Sequence, residues 1–264
     1  MEGVLARQSF LGENSPEILG GTAALIAGLG GGGSHVAQQL AHLGLGNFIF
    51  IDPDKIEFPN LNRTVGATYE DALVGTPKVE VAARLVRSIN PSARIKAIVG
   101  TWQENIRTVR GADVVFGCIE GFAAKVELER VCRAALTPLI DIGMDVHRAR
   151  PYSISGQVVL SMPGCPCFIC MGHVRETDCA IEEQRYGHAG GTPQVVWSNG
   201  ALASTAVGVM VQLLTPWSDV TVASFLGYDG DLSTISPDSR YVNRRIGECP
   251  HFNSTSAYGD PFFA

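Results

Sequence analysis

The chain has 264 residues, 45% hydrophobic and 17% charged, with a formal net charge of −6. That length matches one large domain or two small ones and buries a sizeable core, and so apolar a composition excludes a disordered chain. The acidic balance argues against a general nucleic-acid binder, and no apolar run reaches the ~18 residues that a membrane span needs. The opening MEGVLARQSF has no basic stretch followed by an apolar one, so no secretory signal is expected. Cys165, Cys167, Cys170 and Cys179 sit together in the sequence. Such clustering points to metal or thiol chemistry in a reducing cytoplasm, not to a disulfide framework.

Residues 1–20 read as an N-terminal arm. Thr22–Leu29 is a short apolar run, followed by Gly30 to Gly33 and a helix over Ser34–Leu43 that Gly44 stops. Asn47–Asp52 is a second buried strand, which completes a βαβ unit. The alternation continues with a helix over Val79–Ile89, a strand over Arg94–Val99 and a short helix over Gln103–Val109. It ends with a strand over Asp113–Gly117, a helix over Ala123–Ala135 and a strand over Pro138–Ile142. Repeated units of this kind predict an α/β fold, a doubly wound, Rossmann-like, mostly parallel sheet. Beyond Gly143 the pattern changes. Ser153–Ser161 reads as an antiparallel strand, Pro163–Cys170 as a Cys- and Pro-rich loop, and Thr177–Thr192 as a long mobile loop. Val195–Leu214 is a buried helix of small residues, Thr221–Tyr228 and Arg240–Ile246 are further strands, and residues 253–264 are a tail. With no repeat and no linker, residues 21–252 form one domain with an antiparallel C-terminal extension.

Gly28-Leu29-Gly30-Gly31-Gly32-Gly33 fits G-x-G-x-x-G between a strand and a helix. Glycines there let the backbone approach a nucleotide, and the helix N-terminus favours negative charge. Asp52 ends the second strand, placed to accept hydrogen bonds from ribose hydroxyls. These features say nucleotide without saying which one. Asp54, then Asn60-Leu61-Asn62-Arg63, then Gly75-Thr76-Pro77-Lys78 break the tie. A triphosphate needs cations such as Arg63 and Lys78 to neutralise its oxygens, and an NAD site seldom does. The bland alternative is a surface Arg and Lys at the start of a solvated helix.

A glycine turn, D-x-D, N-L-N-R and G-x-P-K in that order resemble the E1-like family. That family comprises the ThiF, MoeB and HesA adenylyltransferases and the adenylation half of ubiquitin-activating enzymes. Arg7-Gln8-Ser9-Phe10-Leu11-Gly12 is similar to the family's R-Q-x-x-x-G arm, and the resemblance covers about residues 7–252. It implies a homodimer, ATP with Mg²⁺, and a ubiquitin-like or sulfur-carrier protein ending in Gly-Gly whose C-terminal carboxylate is adenylated. By motif, Gly28, Gly30, Gly31 and Gly33 would cradle the nucleotide and Asp52 would hold ribose. Asn60, Arg63 and Lys78 would contact phosphates, and Arg7 would reach into a neighbouring subunit. Where the family has D-x-T-D-N, this chain has Gly117-Cys118-Ile119-Glu120-Gly121, so Glu120 is the carboxylate expected to serve magnesium. Cys167-x-x-Cys170 is half a zinc knuckle. The family's second half falls at Cys249-Pro250-His251-Phe252, so Cys249 with His251, or Cys249 with Cys165, would complete four ligands for structural zinc. Family members often carry an acyl-accepting cysteine in the region of Cys179. Here its neighbours Glu176, Asp178, Glu182 and Glu183 disfavour a thiolate. Cys118 and Cys132 read as core. An E2-like or sulfur-transfer partner would receive the activated group. The rival readings are a tRNA-modifying or small-carboxylate-adenylating relative, an NAD-dependent oxidoreductase, and an inactive dimerising scaffold.

Overall fold

The computed structural model describes residues 3, 5–147, 150–175, 177, 193–238, 249 and 251–252. Strand β1 (Ala23–Ala27) is the middle of the fold: β2 (Asn47–Ile51) pairs with one of its edges and β4 (Val114–Gly117) with the other, both parallel. β3 (Arg94–Ile98) adds outside β2, and β5 (Leu139–His147) outside β4, also parallel. From β5 the sheet turns antiparallel through β6 (Ser153–Ser161), β7 (Phe225–Asp229) and β8 (Thr234–Pro237). The order β3-β2-β1-β4-β5-β6-β7-β8 is the expected doubly wound sheet with an antiparallel C-terminal extension.

Strand β1 reads AALIA because both of its faces are covered. Ala24 and Ile26 enter one core with Phe48, Phe50, Leu202 and Met210. Leu25 and Ala27 enter the other with Val115, Leu128, Val159 and Phe168. Helices α2 (Gly31–His42), α4 (Lys78–Ile89) and α7 (Val196–Leu214) cover the first face, and α5 (Ile106–Arg110) and α6 (Phe122–Ala134) the second. Among the described residues no helix is long and apolar enough to cross a membrane.

Within the expected N-terminal arm, a 3-10 helix over Ala6–Leu11 and helix α1 (Ser15–Gly21) place Leu11 and Leu19 in the main core. Several expectations need correction. Strand β5 runs on to His147, because Met144 and Val146 continue an alternation that pairs with β6. The strand expected over Thr221–Tyr228 begins only at Phe225. Helix α3 (Tyr69–Val74) was not expected. It is made by its ends, Thr68 and Asp71 forming a capping box and Gly75 taking φ 69° after the last turn. Strand β8 carries only exposed side chains and so has no apolar pattern to read. The expected strand over Arg240–Ile246 and the tail lie outside the described residues, as does nearly all of the expected loop over Thr177–Thr192.

The turn from β1 into α2 is closed by backbone contacts. A Cβ on Gly28, at φ 87°, would lie 2.4 Å from the Cys118 carbonyl oxygen, and one on Gly33 would lie 1.9 Å from the Gly28 carbonyl oxygen. Neither neighbour is a flexible side chain that could yield. Gly33→Ala is therefore expected to destabilise the chain by about 1–3 kcal/mol, the usual range for forced overpacking. A urea unfolding midpoint equal to wild type would show that the turn tolerates a side chain.

Candidate nucleotide site

The site sits where the strand order reverses, at the carboxyl ends of β1 and β4, which is where open α/β sheets bind ligands. Gly30 precedes the first turn of α2, and a side chain there would meet nothing within 4 Å. The space above Gly30 is thus free for a ligand. Gly31 instead abuts the Asn199 side chain of α7, with a Cβ placed 2.4 Å from Nδ2. His35, one turn into α2, packs its ring against Gly200 of α7, which leaves room for it.

Asp52 follows β2 and is 4% exposed. Its two oxygens accept from the Leu29 N–H at 2.6 Å and the Asp54 N–H at 2.8 Å. Burial raises its pKa, while Lys78 and these two N–H donors oppose the rise. The carboxylate thus clamps the glycine turn to the end of β2 and retains lone pairs for a hydroxyl donor. Asp54 pairs with Lys78, Oδ2 to Nζ at 2.7 Å, and its carbonyl accepts from the Lys78 N–H. Lys78 opens α4, and α3 sets that entry. Arg84 holds Asp71 with two contacts, at 2.9 and 2.5 Å, and keeps its carboxyl well below the usual range. The Asp71 carbonyl in turn accepts from Thr76, two residues before Lys78.

On the other side, Asn60 caps a short 3-10 turn through its contact with the Glu57 N–H. Arg63 donates to the Pro59 carbonyl at 2.6 Å and to Asn62 Oδ1 at 3.1 Å. Asn62 donates to the Gln194 carbonyl, and the Gln194 side chain donates to Glu120 Oε1 at 3.1 Å. One chain of contacts thus joins Arg63 to Glu120 through Asn62, which the N-L-N-R motif contains without an assigned role, and Gln194, which no motif contains. Gln194 lies just before α7, and nothing in its sequence neighbourhood marks it. The structure therefore brings Gly28, Gly30, Gly31, Gly33, Asp52, Asp54 and Lys78 together on one side, and Asn60, Arg63 and Glu120 on the other.

Arg7 is elsewhere. Its neighbour Gln8 donates to the Leu43 carbonyl at the far end of α2, and α2 is about 18 Å long at 1.5 Å per residue. Arg7 is exposed and does not reach the glycine turn of its own chain.

A second cluster lies behind β5 and β6. Cys167 and Cys170 meet Cys249 and His251, with one ligand atom from each all within 4.8 Å of one another. Of the two ways to complete the set, the structure gathers His251. Cys165 is outside it and offers its carbonyl to Arg133. The Cys170 and Cys249 sulfurs are 3.6 Å apart, and His251 Nδ1 lies 3.4, 3.3 and 3.9 Å from the sulfurs of Cys167, Cys170 and Cys249. Four-coordinate zinc needs about 3.8 Å between sulfurs and about 3.6 Å from sulfur to nitrogen, so the donor set fits that ion. Burial pushes the Cys167 thiol up. For Cys249 burial acts the same way, but contacts from His251, Cys167 and Cys170 outweigh it and bring the thiol to about 7. Phe252, where the family pattern has a ligand, instead carries the Arg133 guanidinium over its ring at 4.9 Å. Cys132 is buried and Cys118 packs against the core. Cys179 lies outside the described residues.

The profile of the ThiF family matches residues 5–249. The chain is 33% identical over 171 residues to the SAMP-activating enzyme E1 of Haloferax volcanii, covering 63% of this chain and 60% of that one. It is 32% identical over 162 residues to the molybdopterin-synthase adenylyltransferase of Escherichia coli, covering 60% of this chain and 61% of that one. The matched region thus spans about 60% of the length of these curated relatives. E. coli MccB shares the fold, with a TM-score of 0.74 over 94% of this chain and 74% of that one, at 22% identity. With a family match over nearly its whole length and relatives above 30% identity, the chain belongs to the ThiF family.

Proposed function

We propose that the chain uses ATP and Mg²⁺ to adenylate the C-terminal carboxylate of a small ubiquitin-like or sulfur-carrier protein ending in Gly-Gly. The observation that carries this reading is a glycine turn at the switch point of the sheet that is tied through Asp52 and Asp54 to Lys78, with Glu120 two residues past the Cys118 carbonyl that Gly28 abuts and joined to Arg63 through Gln194 and Asn62. Two relatives support it by name, one an activating enzyme and one an adenylyltransferase. A nicotinamide site would leave both cations without a purpose.

In this reading the triphosphate lies over Gly30 and the α2 N-terminus, and Asp52 accepts from ribose. The carrier's carboxylate attacks the α-phosphorus, pyrophosphate leaves, and an acyl-adenylate forms. No general base is required, because the nucleophile is already an anion. Lys78 and Arg63 would exchange their present partners for phosphate oxygens and stabilise charge as it builds. Glu120 fits magnesium, being an exposed carboxylate held by a single neutral amide. Bound there, the ion would neutralise phosphate charge. Zinc held by Cys167, Cys170, Cys249 and His251 would tie the segment at 249–252 to the Cys loop and do no chemistry. All six described cysteines are free thiols, which suits a cytoplasmic setting. Four acidic neighbours disfavour a thiolate at Cys179, so we favour direct handover to an E2-like or sulfur-transfer partner.

The position of Arg7 supports a homodimer in which each arm completes the partner's site. Lys78→Ala and Arg7→Ala should each slow ATP–pyrophosphate exchange by about 30- to 1000-fold, the range for losing one charge-assisted transition-state contact. Mixing the two variants should restore exchange, because one site of each hybrid is intact. Full activity of Arg7→Ala, or a mixture no better than its parts, would remove the arm from the site.

For the zinc reading, metal analysis of chelator-washed protein should find close to one zinc per chain. Cys249→Ser should lower both the zinc content and the unfolding midpoint, since structural zinc binding is folding free energy. Metal-free wild-type protein of undiminished stability would contradict it.

A further inference from the structure

Helix α6 carries Lys125, Glu129 and Arg133 at successive i, i+4 positions, and all three are buried. Charges are rarely buried without a partner, because losing water is costly. Glu129 and Arg133 pair with each other along α6 at 3.3 Å, and the remaining partners of the three lie on the Cys loop, on β5 or on β6. Arg133 donates to the carbonyls of Cys165 and Pro166 and to Ser161. Glu129 accepts from Ser161 and from the Phe168 N–H. Lys125 Nζ meets Asp141 Oδ2 of β5 at 2.5 Å, and His173 Nε2 meets the same oxygen at 2.8 Å. The Asp141 and His173 side chains are 1% and 3% exposed. Burial would raise Asp141, but Lys125 and His173 overcome this and hold it low. Nothing in the proposed reaction uses this trio.

Its position suggests a use. Glu120 lies between β4 and α6, and Asp141 touches both elements. A Cβ on Gly117, the last residue of β4, would come 2.9 Å from Asp141 Oδ1. Lys125 stands in the opening turns of α6, five residues after Glu120. One buried carboxylate thus brackets the four residues from Cys118 to Gly121. His173 anchors that carboxylate from the end of the Cys loop, three residues past Cys170. Its ring is wedged edge-on against Phe168 and Phe225, at 4.9 and 6.2 Å between centroids, which fixes its direction. We propose that His173, Asp141 and Lys125 are positioning residues for Glu120, linking the Cys loop to the segment that serves magnesium. This deepens the adenylation reading and rests on Glu120 being the magnesium carboxylate.

The test compares His173→Phe, which keeps the ring packing and loses the donor, with His173→Gln, which restores a donor. Two readouts are taken on the full chain. The first is hydrogen–deuterium exchange of residues 117–125, which needs no activity. The second is the Mg²⁺ concentration that half-saturates ATP–pyrophosphate exchange, with Glu120→Gln as reference. His173→Phe should speed hydrogen exchange in 118–121 and raise the Mg²⁺ requirement by up to about tenfold, the lower end of what losing a ligand's direct hydrogen-bond partner costs, because His173 acts on Glu120 only through Asp141 and the backbone. His173→Gln should return both toward wild type. If His173→Phe does not fold, Gly117→Ala disturbs Asp141 from the strand side and should move both readouts the same way. A lowered unfolding midpoint with both readouts unchanged would reduce the trio to a stability element and overturn the proposal, as would a His173→Gln chain no better than His173→Phe. Should Glu120→Gln leave the Mg²⁺ requirement unmoved, the metal role of Glu120 falls, and hydrogen exchange alone decides whether the trio positions the segment.

Discussion

At the carboxyl ends of β1 and β4 two stretches of backbone come so close that no side chain fits between them. Gly28 meets the Cys118 carbonyl, and Gly33 meets the Gly28 carbonyl. The position of every group in the site depends on this closeness. It directs the N-terminus of α2 into the crevice between the strands, where its unpaired N–H groups face incoming negative charge. It also sets the glycine turn directly beside the segment that leads to Glu120. Asp52 then fixes the turn from the β2 side with a carboxylate that burial alone would tend to neutralise.

Around this turn, each charged group already has a partner. Lys78 rests on Asp54, Arg63 on a carbonyl and an amide, and Glu120 on Gln194. A triphosphate with its cation would offer Arg63 and Glu120 partners of opposite charge in place of neutral ones, and would offer Lys78 more negative charge than Asp54 carries. The contacts also show how much of the chain is recruited to hold a few side chains. Helix α3 has only six residues and three exposed hydrophobic ones, Tyr69, Leu73 and Val74, yet its caps and the Asp71–Arg84 pair set the turn that delivers Lys78.

The central parallel strands were legible because strands buried on both faces must be almost continuously apolar, and FIFI and AALIA are. The glycine turn, Asp52 and the two cations stood out in the sequence because the proposed phosphate chemistry would need those residue types at those places. Helix α3 and strand β8 were not, because capping and edge pairing make them and neither leaves an apolar period. The continuation of β5 did leave one, in the alternation of Met144 and Val146. The trio of Asp141, Lys125 and His173 was hidden for a different reason. A run of Lys125, Glu129 and Arg133 at helical spacing reads as a solvated face until the fold brings a carboxylate, a hydroxyl and two carbonyls against it. Gln194 was equally silent, since a neutral amide bridging two loops has no pattern in one dimension.

Incorporation of labelled pyrophosphate into ATP, measured with the wild-type chain, Mg²⁺ and a ubiquitin-fold carrier, tests adenylation most directly. The account predicts exchange with a carrier ending in Gly-Gly, and none when the carrier is absent or its last two glycines are removed. ATP binding without any carrier-dependent exchange would contradict it and leave a nucleotide-binding scaffold in its place.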